Sequence, residues 1–371
     1  MDAFYASVEL LRYPELRGQP VVVGGPHRLQ PWIETDPVSG EPRRRFARLK
    51  DYTGRGVATT ATYEARALGV HSAMGLMKAA QLAPEALLLP ADFDRYRHHS
   101  RLFKEAVRAI ASRIEDRGID EIFIDLTEPV AERIDSPQDA WWCARELAGE
   151  LKAAVKQATG LNCSIGLAPN KLLAKLASEL DKPDGLTVVT ASELASRVWP
   201  LPARRLNGVG PKANERLARL GFRTIGDLAL ADPEYLVANF GKSYGRWLND
   251  AANGHDDSPV HVFSEPKSIS RETTFERDLH ARRDRQQLGQ IFTALCEQVA
   301  GDLRRKHYAG RTIAVKLRFD DFRTVTRAHT LPEPTDDAQL IRDTAGRCLK
   351  RVDLARRIRL LGVRVDSLSR V

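Results

Sequence analysis

Two adjacent carboxylates, Asp120 and Glu121, interrupt an apolar, β-branched run that extends from Arg117 to Glu128. Unpaired carboxylates inside a core are costly, so such a pair belongs where a cation, a base or water completes it. Alternation of Ile119, Glu121 and Phe123 against Asp120, Ile122 and Ile124 reads as strand, and neighbours on a strand point to opposite faces. Both carboxylates can reach one cation only near a bend, which places them at the tip of a hairpin whose second strand is Ile122 to Leu126. The plainer reading is an edge strand with solvated acids, the ordinary state of an isolated Asp-Glu.

Two other groupings suit phosphate. Tyr63 and Arg66 are three residues apart and share one face of a helical turn, where a hydroxyl and a forked guanidinium can grip adjacent phosphate oxygens, although the spacing alone is weak because many surface helices carry Tyr and Arg there. Leu206-Asn-Gly-Val-Gly-Pro-Lys212, followed by Leu217 and Leu220 to Leu228, has helix-hairpin-helix form. Gly208 and Gly210 let backbone N–H groups beside Lys212 approach a DNA phosphate without reading sequence. A glycine-rich link between two core helices is the alternative, since Gly-x-Gly alone is weak.

The elements that must position these groups can be read in outline. At 371 residues the chain should divide into two to four domains. With 43% hydrophobic and 29% charged residues it has the composition of a soluble globular protein. No run of 18 apolar residues occurs and the N-terminus lacks the features of a signal peptide, so a cytoplasmic, non-membrane protein is expected. Cys143, Cys163, Cys296 and Cys348 have neither metal nor disulfide spacing and are expected as buried thiols.

From His261 to Val371 there are 23 Lys/Arg and 15 Asp/Glu, an excess of 8 that equals the net charge of the whole chain. A basic C-terminal module on a neutral body points to a polyanion, nucleic acid before membrane, with a basic but merely soluble surface as the alternative. Within the module, Ile313, Val315, Leu317 and Phe319 alternate with Lys316 and Arg318. Further strands are expected over Arg323 to Arg327 and 358–365, and helices near 284–306 and 338–355. Two helices on one side of a four-stranded sheet would leave its other face free for phosphates, with Lys316, Arg318, Arg323 and Arg327 as the candidate contacts.

Earlier in the chain, Phe4, Val8 and Leu11 have helical spacing, and Leu16 to Gly25 reads as a strand stopped by glycines. Pro26 to Tyr52 reads as a solvated loop, with phosphate contact from its arginines as the alternative. Helices are expected over 93–114 and 141–159, a strand-turn-helix over Cys163 to Lys175, and a polar linker near 257–264.

Asp2-Ala-Phe-Tyr-Ala-Ser-Val-Glu9, set beside the Asp-Glu hairpin, resembles the opening motif of the Y-family DNA polymerases, the translesion enzymes of the bacterial DNA polymerase IV type. Thr60-Ala-Thr-Tyr-Glu-Ala-Arg66 with Gly69-Val-His-Ser-Ala-Met-Gly75, Arg117-Gly-Ile-Asp-Glu121, Cys163 to Gly185 and the helix-hairpin-helix resemble further motifs of that family, in its order. The resemblance covers nearly all of the chain.

It implies an α+β multidomain right-hand polymerase. The palm would be residues 1–3 and 92–189, and the small fingers 4–91, with an insertion over 26–52. A helical helix-hairpin-helix thumb would occupy 190–256, a linker 257–266, and an α/β little finger 267–371. The implied activity is template-directed addition of deoxynucleotides to a primer 3′-hydroxyl, in low-fidelity translesion synthesis during DNA damage tolerance.

The cofactors implied are two Mg²⁺ ions, with Asp120 bridging them, Glu121 holding the primer-side ion and the backbone carbonyl of Met1 as a further ligand. Tyr63, Arg66 and Lys182 would bind the triphosphate, and Tyr5 would be the steric gate against a ribose 2′-hydroxyl. The partners implied are primer-template DNA and deoxynucleoside triphosphates, for a monomer associated with the bacterial nucleoid. No clamp-binding peptide is seen at Ser367 to Val371, which leaves a sliding clamp as an open partner.

Two departures from the family pattern stand out. Gly118 replaces a usual Ser, and the family's first metal Asp, with the palm strand that carries it, would lie before Met1. Either Met1 is internal to a longer reading frame or the chain is a genuine truncation; the cost of unpaired backbone groups favours the first. A non-catalytic DNA-binding protein is therefore the rival reading. A structure-specific nuclease would also use carboxylate-bound metals but leaves Tyr5 and the Tyr63/Arg66 pair unexplained.

Overall fold

The structure, a computed structural model, describes residues 1–26, 29–35 and 40–371. It divides into two units, Met1–Phe263 and Ser264–Val371.

In the first unit, the helix Phe4–Arg12 buries Phe4, Ala6 and Val8 against Val23, Tyr96 and Leu161. A four-stranded sheet follows, in the order Ala47–Arg48, Leu87–Leu89, Val21–Gly24, Ala58–Ala61. Val21–Gly24 runs parallel to Leu87–Leu89 and antiparallel to Ala58–Ala61. Its interior position explains the unbroken valine triplet, since all three valines are fully buried. The strand is shorter than the expected 16–25 because Pro14–Leu16 forms a tight helical turn, which Pro14 favours at its first position.

The segment 26–52 is more ordered than a solvated loop. Trp32–Thr35 pairs antiparallel with Pro42–Arg45, and Ala47–Arg48 joins the edge of the four-stranded sheet. His27, Arg28 and 36–39 of this segment lie outside the described residues.

Two short ladders carry the carboxylates' neighbourhood. Ile114–Asp116 pairs antiparallel with Ile122–Ile124, and Ile165–Leu167 runs parallel to Leu186–Val188. Helices Phe93–Arg108 and Ala140–Thr159 supply Phe103, Val107, Leu151 and Val155 to the cluster that also holds Ile114, Ile122, Ile124 and Ile165. The first of these helices ends at Arg108, short of the expected 114, because Ile114 is needed in the ladder with Ile124.

Ile122–Ile124 and Ile165–Leu167 are each paired along one edge, and both line a single cleft of about 950 Å³. Gly166 lets its strand lie against the helix Lys171–Ala177, since a Cβ there would meet the Ala174 carbonyl oxygen at 2.1 Å.

Helices Pro211–Arg219, Ile225–Ala229, Pro233–Phe240 and Lys242–Ala252 then bury Leu217, Ile225, Leu228, Leu236 and Leu248 together. The expected linker is partly fastened to this unit. Asp256 accepts from the Leu172 amide, Lys171 Nζ donates to the Pro259 carbonyl, and the His261 amide donates to Glu115.

The second unit is a four-stranded antiparallel sheet in the order Ser268–Leu279, Ile358–Arg370, Tyr308–Phe319, Thr324–Thr335. Helices Arg285–Arg305 and Ala338–Leu349 cover one face, burying Phe292, Leu295, Val299, Leu303 and Ile341 against Ile313, Val315, Leu317 and Phe319. Pro332 and Pro334 are tolerated because their strand is at an edge. All four cysteines are free and buried. No helix among the described residues is long and apolar enough to cross a membrane.

Candidate active site

Asp120 and Glu121 fall in the turn between Asp116 and Ile122, the bend their chemistry demanded. The Asp120 carboxylate has no hydrogen-bond partner among the described residues. Burial pushes its carboxyl above the usual range and the Glu121 charge adds to this, against the opposing pull of the Met1 ammonium, Lys182 and Lys175. Met1 stands beside the pair, its ammonium donating to the Asp120 carbonyl oxygen at 2.8 Å.

Asp2, by contrast, is buried and turned to structural use, accepting from the Ser164 hydroxyl and the Asp184 amide at 2.9 Å each. Its bonds tie the start of the chain to the strand-turn-helix that carries the lysines.

Glu121 is held by Lys175 at 2.5 Å, Lys175 also reaches Glu179 at 3.2 Å, and Glu179 accepts from Lys182 at 2.6 Å. Burial works to lower the Lys175 ammonium, yet the two glutamates hold it above its ordinary value. Burial likewise works to raise Glu179, and its two lysines keep it below. Lys175 and Glu179 were not singled out from the sequence. Their signal was the spacing of Lys175, Glu179 and Lys182 by four and three residues, which begins on the helix Lys171–Ala177 and continues through the turn after it.

Tyr63 begins the helix Tyr63–Ala67, capped by the Thr62 hydroxyl accepting from the Ala65 amide. The Arg66 guanidinium lies 4.9 Å from the Tyr63 ring centroid and donates to the Ala61 carbonyl at 3.0 Å. The Tyr63 hydroxyl is buried without a hydrogen-bond partner. Burial and then the Asp2 charge raise its pKa. A buried hydroxyl without a partner is exceptional in a folded chain. Tyr5 stacks on Tyr96 with centroids 4.2 Å apart and makes an edge contact with Phe93. Burial and the charge of Asp120 raise its hydroxyl's pKa, placing the ring near the carboxylates.

Gly208, Gly210 and Lys212 are exposed at the start of the helix Pro211–Arg219. Gly208 has φ +116°, and a Cβ there would strike the Trp247 ring at 2.6 Å. Its carbonyl accepts from the Tyr244 hydroxyl at 2.9 Å. The first intrahelical bond runs from the Asn214 amide to Gly210, leaving the Lys212 and Ala213 amides ahead of it.

In the second unit, register places Lys316 and Arg318 together on the face away from the helices. Lys316 bonds Glu272 at 2.7 Å and Arg318 bonds the Thr324 hydroxyl at 3.1 Å. Arg327 is opposite Val315, so it belongs to the other face, and Arg323 lies before its strand over the Phe319 ring. The sheet therefore does not bring all four expected cations together. The alternation that sorted Lys316 from Val315 sorts Arg327 the other way.

Among the described residues no group of three or more His, Cys, Asp or Glu gathers as a metal site. Two adjacent carboxylates, one of them unpartnered, nevertheless suit a hard divalent cation with oxygen ligands.

A carboxylate turn, a tyrosine–arginine pair with an unpartnered hydroxyl and glycine-led helical hairpins occur together in one unit, the setting of a nucleotidyl-transfer polymerase fold. The chain belongs to the impB/mucB/samB family: the family model matches residues 1–179 and that of its C-terminal domain residues 266–371. It is 39% identical to DNA polymerase IV of Streptomyces coelicolor over all of this chain and 70% of that protein. It is 38% identical to DNA polymerase IV of Methanoculleus marisnigri, covering 93% of it. The solved Y-family DNA polymerase chimera Dbh-Dpo4(243-245)-Dbh superposes with a TM-score of 0.78 at 25% identity, over 98% of this chain and 96% of the chimera. The fold is that of the Y-family polymerases.

Proposed function

We propose that the chain is a translesion DNA polymerase that extends a primer 3′-hydroxyl with template-selected deoxynucleoside triphosphates. The observation that carries this reading is the convergence of the unpartnered Asp120 carboxylate, the Glu121–Lys175–Glu179–Lys182 series and the orphan Tyr63 hydroxyl in one unit. Asp120 and Glu121, with the Met1 carbonyl, would hold two Mg²⁺ ions. When bound, these ions sharpen the 3′-hydroxyl as a nucleophile and neutralise the leaving pyrophosphate. Tyr63, Arg66 and Lys182 orient the triphosphate, and the Tyr5 ring excludes a ribose 2′-hydroxyl.

Gly208, Gly210 and Lys212, with Lys316 and Arg318 on the open face of the second unit's sheet, contact primer-template phosphates. The enzyme acts as a monomer in the bacterial cytoplasm.

Single-nucleotide incorporation opposite each of the four template bases tests the reading. Incorporation of the complement in each case is expected. Duplex binding with no incorporation opposite any base would favour a non-catalytic DNA-binding protein instead.

A further inference from the structure

We propose that Glu9 and Tyr96 are positioning residues for sugar selectivity, acting through the plane of the Tyr5 ring. This rests on the reading of Tyr5 as the steric gate. Tyr5 and Glu9 are four residues apart on the helix Phe4–Arg12 and so lie on one face of it. Tyr96, from the helix Phe93–Arg108, spans both of them. Its hydroxyl donates to Glu9 Oε1 at 2.7 Å, and its ring lies against Tyr5 at 4.2 Å with 14° between the planes. Phe93 closes the cluster edge-on, 6.0 Å from Tyr5 and 5.8 Å from Tyr96.

The arrangement is costly for stability alone. Tyr96 is 0% exposed and Glu9 is 2% exposed, within a cluster of Phe4, Ala6, Val8, Val23 and Leu161. A phenylalanine and an aliphatic residue would fill the same space without burying a carboxylate. What the polar pair adds is orientation: a short bond in an apolar site fixes the rotation of the Tyr96 ring about its long axis.

Tyr5 needs that support. Its hydroxyl makes no hydrogen bond among the described residues, and its ring plane is set by the Tyr96 face beneath it and the Phe93 edge beside it. Asp92 secures the supporting helix, capping it at the Arg95 amide and pairing with Arg12 at 3.7 Å, three residues beyond Glu9. A gate that must reject one hydroxyl depends on placement to a fraction of an ångström, and here the placement comes from the neighbouring helix.

The test is the ratio of kcat/KM for a deoxynucleotide to that for the matching ribonucleotide, measured with the full chain. Melting curves confirm that each variant is folded. Tyr96→Leu should lower the ratio about tenfold, the size of one lost aromatic stack, mainly through a lower KM for the ribonucleotide. Tyr96→Phe keeps the ring but frees its rotation and should lower the ratio about threefold. Glu9→Gln retains an acceptor for the Tyr96 hydroxyl and should keep the wild-type ratio.

Tyr5→Ala should collapse the ratio, and adding Tyr96→Leu to it should change nothing more. A folded Tyr96→Leu with the wild-type ratio, alongside a collapsed Tyr5→Ala, overturns the positioning role and leaves the gate standing. Should Tyr96→Leu fail to fold, an unchanged ratio in Tyr96→Phe overturns it equally. An unchanged ratio in Tyr5→Ala removes the gate itself, and the inference with it.

Discussion

Lys175 Nζ lies 2.5 Å from Glu121 Oε1, so the carboxylate expected to hold the primer-side cation is held by a lysine of the same unit. The ammonium and the cation compete for one anion. Lys175→Ala should therefore lower the Mg²⁺ concentration giving half-maximal primer extension, by about threefold to tenfold. A Mg²⁺ titration of extension rate measures this. A raised requirement would show instead that Lys175 orients Glu121 for the metal.

The Tyr63 hydroxyl tests the proposed triphosphate contact in isolation, because it contributes no hydrogen bond to the fold. Tyr63→Phe should leave the melting temperature unchanged or slightly raised, since it removes a buried, unsatisfied group. It should increase KM for the incoming nucleotide about tenfold, the scale of one bond to a charged acceptor. Loss of stability with KM intact would assign the hydroxyl to the fold instead.

Glu9 gives a pH dependence whose sign is fixed. Burial raises its carboxyl pKa, a shift that the hydrogen bond from Tyr96 and the Arg12 charge only partly oppose. A carboxyl whose folded pKa lies above its unfolded value, about 4.3 for Glu, contributes stability below the unfolded value and loses it as pH rises through the folded one. Glu9→Gln carries no such loss. Thermal melts of both proteins from acidic to neutral pH should show the variant gaining on wild type as pH rises from about 4.3 through the raised folded value. A difference that stays constant with pH, or shifts toward wild type, would contradict the assignment.

Lys316 and Arg318 share a face but not a state of pairing. Lys316 is joined to Glu272 across Gly362 of the intervening strand, where a Cβ would meet Glu272 Cβ at 2.8 Å, whereas Arg318 bonds only the neutral Thr324 hydroxyl. Arg318→Ala should reduce the slope of log K against log salt for duplex binding by about 1, and Lys316→Ala by less. Equal losses would show that DNA displaces Glu272 from Lys316 at no cost, as an exposed ion pair of low worth would allow.

Legibility in the sequence followed the range of the interactions. The Asp120–Glu121 turn could be read because two charges in an apolar run leave few placements, and the Ile313 to Phe319 alternation because one buried face dictates a period of two. The Lys175–Glu179 link was available as helical spacing but had no apparent purpose until Glu121, 54 residues away, was seen beside it. The fastening of 256–261 through Asp256, Lys171 and Glu115 was hidden because polar, proline-containing sequence reads alike whether free or pinned. Tyr96 sits on the buried face of its helix, as apolar spacing alone would place it. Its hydroxyl bond to Glu9 and its stack on Tyr5 are long-range facts that helical periodicity cannot carry.

Primer extension by the 371-residue chain with Mg²⁺ and all four deoxynucleotides, compared with Asp120→Ala at low salt, is the most direct test of a cation-dependent nucleotidyl transferase built on the Asp120–Glu121 turn. The expected result is templated extension in the wild type and its loss in Asp120→Ala by about a thousandfold or more, with DNA affinity retained. Equal extension by both proteins, or tight DNA binding by both with no extension from either, would contradict the account.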